Sequence, residues 1–138
     1  MSGGRLFLDT AFVQALLDRR DQYHARAQAI RPRLDSAIEI WITEALLIEI
    51  GNALSVLNRS AASEFIEMCY ETTNISVVQV DTALLIRSLQ LYQSRLDKTW
   101  GLTDCISFVM MREHGLTEAL TSDSHFVQAG FRALMLEE

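Results

Sequence analysis

The chain has 138 residues, of which 49% are hydrophobic and 22% charged, with one proline and six glycines. This length corresponds to one domain with one core, and the composition excludes a disordered, collagen-like or proline-rich chain. The formal net charge is −6, from 12 basic and 18 acidic residues. Such a balance argues against nucleic-acid binding, because affinity for nucleic acid usually depends on the neutralisation of phosphates.

The sequence predicts a cytoplasmic protein. Its apolar stretches are much shorter than the ~20 residues of a transmembrane helix, and Asp9 interrupts the first of them, so we expect neither a membrane span nor a signal peptide. The two cysteines, Cys69 and Cys105, lie in apolar, helix-like segments without CxxC spacing. We expect both to be buried, reduced thiols.

Short apolar runs that are typical of strands alternate along the chain with segments of helical periodicity. The strand-like runs are residues 6–8, 38–42, 75–80, 119–120 and 133–136. Pairs of helical segments separate the first four runs, and one helical segment separates the last two. This alternation predicts a single domain over residues 1–138, a three-layer α/β/α sandwich with a mainly parallel five-stranded sheet.

Two helical segments carry apolar stripes that are typical of amphipathic helices. The first stripe consists of Tyr23, Ala27, Ile30 and Leu34. The second stripe consists of Leu85, Leu89, Tyr92 and Leu96. Pro32 should kink or break the first of these helices near its end, because proline lacks the backbone N–H that a helix interior requires.

Three residues mark the ends of predicted helices. Thr43 and Asp81 stand where a strand gives way to a helix, and we expect both to be N-caps. Gly115 follows the segment that ends at His114 and is expected to terminate that helix.

Four acidic residues follow strands or lie near the starts of helices. Asp9 and Asp123 end strand-like runs, Asp104 begins a helix, and Glu49 lies in the second turn of the helix capped by Thr43. In a parallel sheet the ligand site lies beyond the carboxyl ends of the strands, where these acids can converge. Carboxylates at close range need a cation to stay ionised, and hard oxygen ligands select Mg²⁺ or Mn²⁺ rather than zinc.

Each of these acids also has a purely structural explanation. Asp9, Asp104 and Asp123 can be N-caps or partners of a helix dipole. Glu49 should be partly buried, and it therefore needs a polar partner of some kind. Asp81 ends a strand just as Asp9 does, and the local sequence does not exclude it from the site.

Other catalytic chemistries fit the sequence poorly. The three histidines, His24, His114 and His125, show no HxxxH or HxH spacing, which argues against zinc and against paired-histidine catalysis. Only His125 lies near the proposed acids. The chain also has no GxGxxG and no GxxxxGK[ST] motif for binding a nucleotide.

Several segments resemble PIN-domain proteins of the VapC toxin type, and the resemblance extends over essentially the whole chain. The segments are LFLDT at 6–10, DQYHARA at 21–27, Thr43-Glu44 with Glu49 following, WGLTDCISF at 100–108 and LTSDSHF at 120–126. The LTDCISF stretch and the TxDxxF pattern are the most specific of them.

The resemblance implies a sheet of order 3-2-1-4-5, which places Asp81 on an edge strand away from the site. It implies one or two bound Mg²⁺ or Mn²⁺ ions. The metal-binding and catalytic acids that it implies are Asp9, Glu49, Asp104 and Asp123. Thr10 and Thr121 match polar positions that support such acids.

The activity that the resemblance implies is metal-dependent hydrolysis of RNA phosphodiesters by the toxin of a toxin–antitoxin pair. The implied partners are RNA, a VapB-like antitoxin that blocks the acidic site, and a second copy in a homodimer. A non-catalytic RNA-binding or scaffolding PIN module is the alternative. A metal-dependent phosphatase would need Asp-x-Asp after the first strand, where this chain has Asp9-Thr10-Ala11.

Five arginines and one acid between residues 19 and 33 give that segment a local charge of +4. It is either a solvated helix face or a phosphate-binding surface. The predicted RNA-binding residues are Arg19, Arg20, Arg26 and Lys98. Trp100 either stacks on a base or packs on the core. If four acids bind metal, the rest of the chain carries −2, and the net charge no longer argues against RNA.

Overall fold

The computed structural model describes residues 4–137, which form a five-stranded sheet flanked by helices. The strands are β1 (Arg5–Leu8), β2 (Glu39–Thr43), β3 (Ile75–Val78), β4 (Glu118–Leu120) and β5 (Arg132–Ala133). The helices are α1 (Thr10–Leu17), α2 (His24–Asp35), α3 (Glu44–Ala53), α4 (Arg59–Glu71), α5 (Thr82–Ser94), α6 (Leu102–Glu113) and α7 (Ser124–Gln128).

All strand pairs are parallel, and the strand order is β3-β2-β1-β4-β5. The chain runs towards β3 through α1–α4 and then back across the sheet through α5–α7. Because such crossovers are right-handed, the two groups of helices cover opposite faces of the sheet. The predicted α/β/α fold and its strand order are confirmed.

The central pair of strands sets the position of the first acidic residue. Leu8 of β1 is in register with Leu120 of β4, and the backbone N–H of Asp9 donates to the carbonyl of Leu120 at 3.3 Å. Asp9 and Thr121 therefore leave the sheet side by side at its carboxyl edge.

Aromatic side chains fill the core below this edge. Phe7, Phe12, Phe108 and Phe126 are fully buried. The Phe108 and Phe126 rings meet edge to face with centroids 5.0 Å apart, a favourable geometry for aromatic pairs. Since Phe126 belongs to α7, this contact fixes α7, and the loop before it, against the core.

The predicted helix ends are present. The hydroxyl of Thr43 accepts from the backbone N–H of Leu46 at 3.3 Å, and the carboxylate of Asp81 accepts from that of Leu84 at 2.8 Å. Gly115 follows α6 with φ of +66°, a conformation that favours glycine. Asp81 thus caps α5 beside edge strand β3, two strands away from β1.

Two predicted elements differ from the structure. Residues 134–136 form a 3₁₀ turn rather than the continuation of a strand, and β5 ends at Ala133. Pro32 does not end α2, which continues for three residues to Asp35. Pro32 removes one hydrogen bond of this helix, the one to the carbonyl of Gln28, without ending it.

The apolar stripe predicted for α5 faces solvent. Leu85, Leu89, Tyr92 and Leu96 are 41, 40, 47 and 90% exposed. The helix instead buries Leu84 and Ser88. The Ser88 hydroxyl donates to the carbonyl of Leu84 at 2.8 Å, so a polar residue satisfies its hydrogen bond within its own helix and occupies a core position.

Both cysteines are free and buried, as the sequence predicts. Burial raises the pKa of the Cys69 thiol to about 11, which keeps it protonated. Among residues 4–137, no helix combines the length and apolar character that crossing a membrane requires.

Candidate active site

Asp9 is the most buried of the predicted acids, with only 7% of its surface exposed. It occupies the N-cap position of α1, yet its side chain makes no capping hydrogen bond. Its Oδ2 accepts instead from the Thr121 hydroxyl at 2.7 Å. The carboxylate therefore points towards β4.

The environment of Asp9 disfavours its charge. Burial raises the pKa of Asp9 to about 7, although hydrogen bonds from the Thr121 side chain and the Thr10 backbone lower it. The negative charges of Asp123 and Asp104 add to the rise. A cation bound between these groups would reverse the balance, because it favours every ionised carboxylate near it.

Asp104 lies in the first turn of α6. Its Oδ2 accepts from the backbone N–H of Gly101 at 3.2 Å and lies 3.0 Å from Nδ1 of His125. Burial, followed by the charge of Asp123, raises the pKa of Asp104, while the contacts with Gly101 and His125 lower it. Asp104 is therefore both a helix cap and a member of the acidic group.

Asp123 is the N-cap of α7 and faces Asp104. Its Oδ1 accepts from the backbone N–H of His125 at 2.9 Å, and its own N–H donates to the Thr121 hydroxyl at 3.0 Å. Thr121 thus joins Asp123 to Asp9. One ligand atom from each of Asp104, Asp123 and His125 lies within 4.8 Å of the others, a spacing that a metal ion can bridge.

Glu49 stands apart from this group. The side chain is exposed, where the sequence suggested partial burial, because α3 buries its Leu46, Leu47 and Ile50 face and turns position 49 outward. Its Oε1 accepts from the Thr10 hydroxyl at 2.9 Å. The structure links Glu49 to the site through Thr10, the residue that follows Asp9.

The sequence placed His125 near the proposed acids but did not predict a role for it in the site. Its Nδ1 lies 3.0 Å from Asp104 and 3.4 Å from Asp123, and its Nε2 lies 3.3 Å from the Thr99 hydroxyl. The sequence feature that could have predicted this role is the position of His125, two residues after Asp123 and within the turn that begins α7. The contact with Asp104 depends on how α6 and α7 pack, which sequence spacing does not reveal.

The predicted RNA-binding residues lie in different surroundings. Arg26 donates to the backbone carbonyls of Leu134 and Glu137, so its guanidinium holds the end of the described chain. Arg19 and Arg20 are exposed in the connection between α1 and α2, and Arg20 lies 3.8 Å from Asp18.

Lys98 and Trp100 lie in the connection between α5 and α6. The Lys98 Nζ is 6.0 Å from the centre of the Trp100 ring. Trp100 is only 5% exposed, and its indole N–H donates to Gln128 at 3.1 Å. Its packing role is therefore the correct alternative, and its ring has little free surface for a base.

The site fits a hard divalent cation. It presents three carboxylates, the pKa values of two of which are raised by burial and mutual repulsion. A bound divalent ion would compensate both effects, and carboxylate oxygen is the donor that Mg²⁺ and Mn²⁺ prefer. The residues that would hold it are Asp9, Asp104 and Asp123, with the imidazole of His125 beside them.

Comparison with known proteins identifies the family. The family model described as "PIN domain" matches residues 6–132, which is most of the chain. This protein belongs to the PIN-domain family, as the sequence motifs indicated. No curated protein matches the sequence.

Several solved structures share the fold. VapC20 from Mycobacterium tuberculosis, described as a toxin that cleaves the sarcin-ricin loop, superposes with a TM-score of 0.80 at 22% identity, over 91% of this chain and 95% of that one. FitAcB from Neisseria gonorrhoeae gives 0.62 at 18% identity, over 93% and 94%. DNA-bound VapBC from Salmonella typhimurium gives 0.58 at 19% identity, over 96% and 97%.

Proposed function

We propose that residues 1–138 form a single PIN-like domain that acts as a metal-dependent endoribonuclease, the toxin of a toxin–antitoxin pair. The observation that carries this proposal is the cluster of Asp104, Asp123 and His125, to which Thr121 connects Asp9, at the carboxyl edge of β1 and β4. The similarity in fold to VapC20, described as a toxin that cleaves the sarcin-ricin loop, supports the choice of RNA as substrate.

Residues of this chain orient the acids that would hold the metal ions. One or two Mg²⁺ or Mn²⁺ ions, when bound, would lower the pKa of water and stabilise negative charge on a phosphate. Thr121 orients Asp9 through its 2.7 Å hydrogen bond, and Thr10 orients Glu49 through a bond of 2.9 Å. Glu49 is then placed to bind a metal or to orient water at the exposed side of the site.

An antitoxin is the second proposed partner, as in the FitAB and VapBC complexes of similar fold. A groove of about 590 Å³ between α1, α2 and α4 offers it a surface. The apolar side chains that line the groove include Leu16, Leu17, Leu34, Phe65 and Met68. Apolar surface of this kind is typical of a protein interaction site.

A homodimer is the third proposed association. Leu85, Ile86 and Leu89 form an exposed apolar face on α5. Contact of this face with water is unfavourable, and a second copy would cover it.

The exposed Arg19 and Arg20 would help RNA to reach the site. The predicted cytoplasmic location agrees with the two free cysteines.

Expression of the wild type and of Asp9→Asn in a sensitive host tests the function and names the substrate together. The wild type should arrest growth and produce new RNA ends, which sequencing will locate, and Asp9→Asn should do neither. Growth arrest by both proteins, or by neither, contradicts the proposal.

A non-catalytic RNA-binding or scaffolding module is the alternative function. In that case RNA binding would be unchanged by Asp104→Asn, and expression would not inhibit growth. The close approach of Asp104 and Asp123 favours the enzyme, because a scaffold gains nothing from carboxylates that repel each other.

A further inference from the structure

A cavity of about 280 Å³ lies at the connection between α5 and α6, next to the candidate active site. Its walls include Arg95, Lys98, Thr99 and Trp100. The Thr99 hydroxyl lies 3.3 Å from Nε2 of His125, whose Nδ1 lies 3.0 Å from Asp104. The Thr99 wall of the cavity is therefore connected to the acidic group through two hydrogen bonds of His125.

Trp100 is a fixed platform for two cations in this cavity. Its indole N–H is held by Gln128, and its ring meets Phe108 edge to face with centroids 5.0 Å apart. The guanidinium carbon of Arg95 lies 5.1 Å, and the Lys98 Nζ 6.0 Å, from the centre of the ring. Both distances are typical of cation–π contacts, so a buried ring positions two flexible basic side chains.

The charge of the cavity is positive although the protein is acidic. Asp97 pairs with Arg95 through two 3.0 Å hydrogen bonds. Within residues 4–137, no carboxylate lies within 4.0 Å of the Lys98 ammonium. Because only Arg95 is paired, the cavity keeps one positive charge. The three carboxylates of the nearby acidic group do not neutralise it.

We propose that this cavity binds a phosphate group of the RNA strand adjacent to the phosphodiester that is cleaved. The inference rests on the proposed function and gives it a defined substrate subsite. The acidic group, with its cation, would take the scissile phosphate, and a nucleic acid strand necessarily presents another phosphate close by. Lys98 supplies the charge, Arg95 lines the cavity beside it, and Trp100 holds both side chains in place. Such contacts position the strand without reading its sequence.

RNA affinity of the Lys98→Gln variant tests the subsite. All proteins carry Asp9→Asn to prevent cleavage, and the probe is a fluorescent hairpin RNA in Mg²⁺ buffer. We expect Lys98→Gln to weaken binding about threefold to tenfold at low salt. The slope of log K against log salt should fall by about 0.7–0.9, the contribution of one phosphate contact.

Arg112→Gln is the matched control. Arg112 also lies over an aromatic ring, 5.8 Å from the centre of Phe131, but in the last turn of α6, at the opposite end of that helix from Asp104. This variant should keep the affinity and the salt slope, and Lys98→Arg should restore most of the binding that Lys98→Gln loses. Equal effects of the Lys98→Gln and Arg112→Gln changes, or none from either, overturn the subsite.

Cleavage by the protein with Asp9 intact separates this inference from the proposed function. If that protein cleaves RNA while Lys98→Gln changes neither affinity nor salt slope, the subsite is wrong and the nuclease stands. If it cleaves nothing while binding depends on Lys98, the cavity binds a phosphate of RNA but the nuclease is wrong. Absence of any RNA binding overturns both.

Discussion

The hydroxyl of Thr121 donates a 2.7 Å hydrogen bond to the carboxylate of Asp9 across the two central strands. The two residues lie 112 positions apart in the sequence, and the register of β1 with β4 brings them together. This bond lowers the pKa of Asp9 against the effect of burial. It therefore favours the ionised form that a metal ion requires.

Removal of this hydrogen bond should weaken metal binding. Thr121→Val keeps the shape of the side chain but raises the pKa of Asp9 further, and supporting contacts of this kind are worth about tenfold or more in metal affinity. Titration calorimetry with Mn²⁺ at pH 7 measures the effect. Thr121→Ser, which keeps the hydroxyl, should bind like the wild type. If the valine variant also binds like the wild type, Thr121 has no role in orienting Asp9.

In the metal-free protein, the contribution of Asp9 to stability should fall as pH rises from about 4 to about 7. Asp9 has a folded-state pKa of about 7, above its ordinary value of 3.8, so the folded state holds more protons than the unfolded state in that window. The penalty is absent below pH 4 and complete above pH 7. At ~1.4 kcal/mol per pKa unit, it is on the order of 4 kcal/mol.

Asp9→Asn should remove this pH dependence. Urea unfolding in EDTA at pH 4 and pH 8 should show similar stabilities for the two proteins at the lower pH and a more stable variant at the higher pH. A variant that is less stable than the wild type at pH 8 would show that the Asp9 charge is not destabilising in the folded protein.

The aromatic core below the site should be essential for its geometry. Phe108→Ala removes the ring that contacts both Phe126 and Trp100, and the loss of a buried phenylalanine costs about 3–5 kcal/mol. Chemical denaturation should show this loss, whereas Val56→Ala, at a fully solvent-facing position, should leave stability nearly unchanged. A loss below about 1 kcal/mol for Phe108→Ala would mean that the core does not depend on this ring.

The exposed apolar face of α5 should determine the oligomeric state. Leu89→Glu places a charge in this face, where burial against a second copy would be costly. Light scattering should report a dimer for the wild type and a monomer for the variant, while Gln90→Glu on the same helix should leave the dimer intact. A monomeric wild type, or a dimeric Leu89→Glu protein, contradicts an interface on this face.

Much of the fold could be predicted from the sequence because its signals are local. The strand-like runs and the caps at Thr43 and Asp81 depend on neighbouring residues only, and the placement of Asp9 and Asp123 after strands follows directly. The strand order required the family resemblance. The α5 stripe was wrong because Ser88, a polar residue, satisfies its hydrogen bond inside the helix and takes the core position.

The site itself was less accessible to sequence reasoning. Asp104 and His125 meet only because α6 and α7 pack side by side, and the exposure of Glu49 depends on which face of α3 meets the core. These are properties of packing in three dimensions. Residue type and spacing predicted the acids as a set but not the distances between them.

RNA cleavage in vitro is the most direct test of whether this protein is a metal-dependent nuclease. Structured RNA is incubated with purified protein and Mg²⁺ or Mn²⁺, and the products are separated on a denaturing gel. The wild type should cleave the RNA, EDTA should abolish cleavage, and Asp9→Asn should be inactive under every condition while remaining folded. Cleavage that persists in EDTA, or in the Asp9→Asn variant, would contradict a metal-dependent nuclease centred on Asp9.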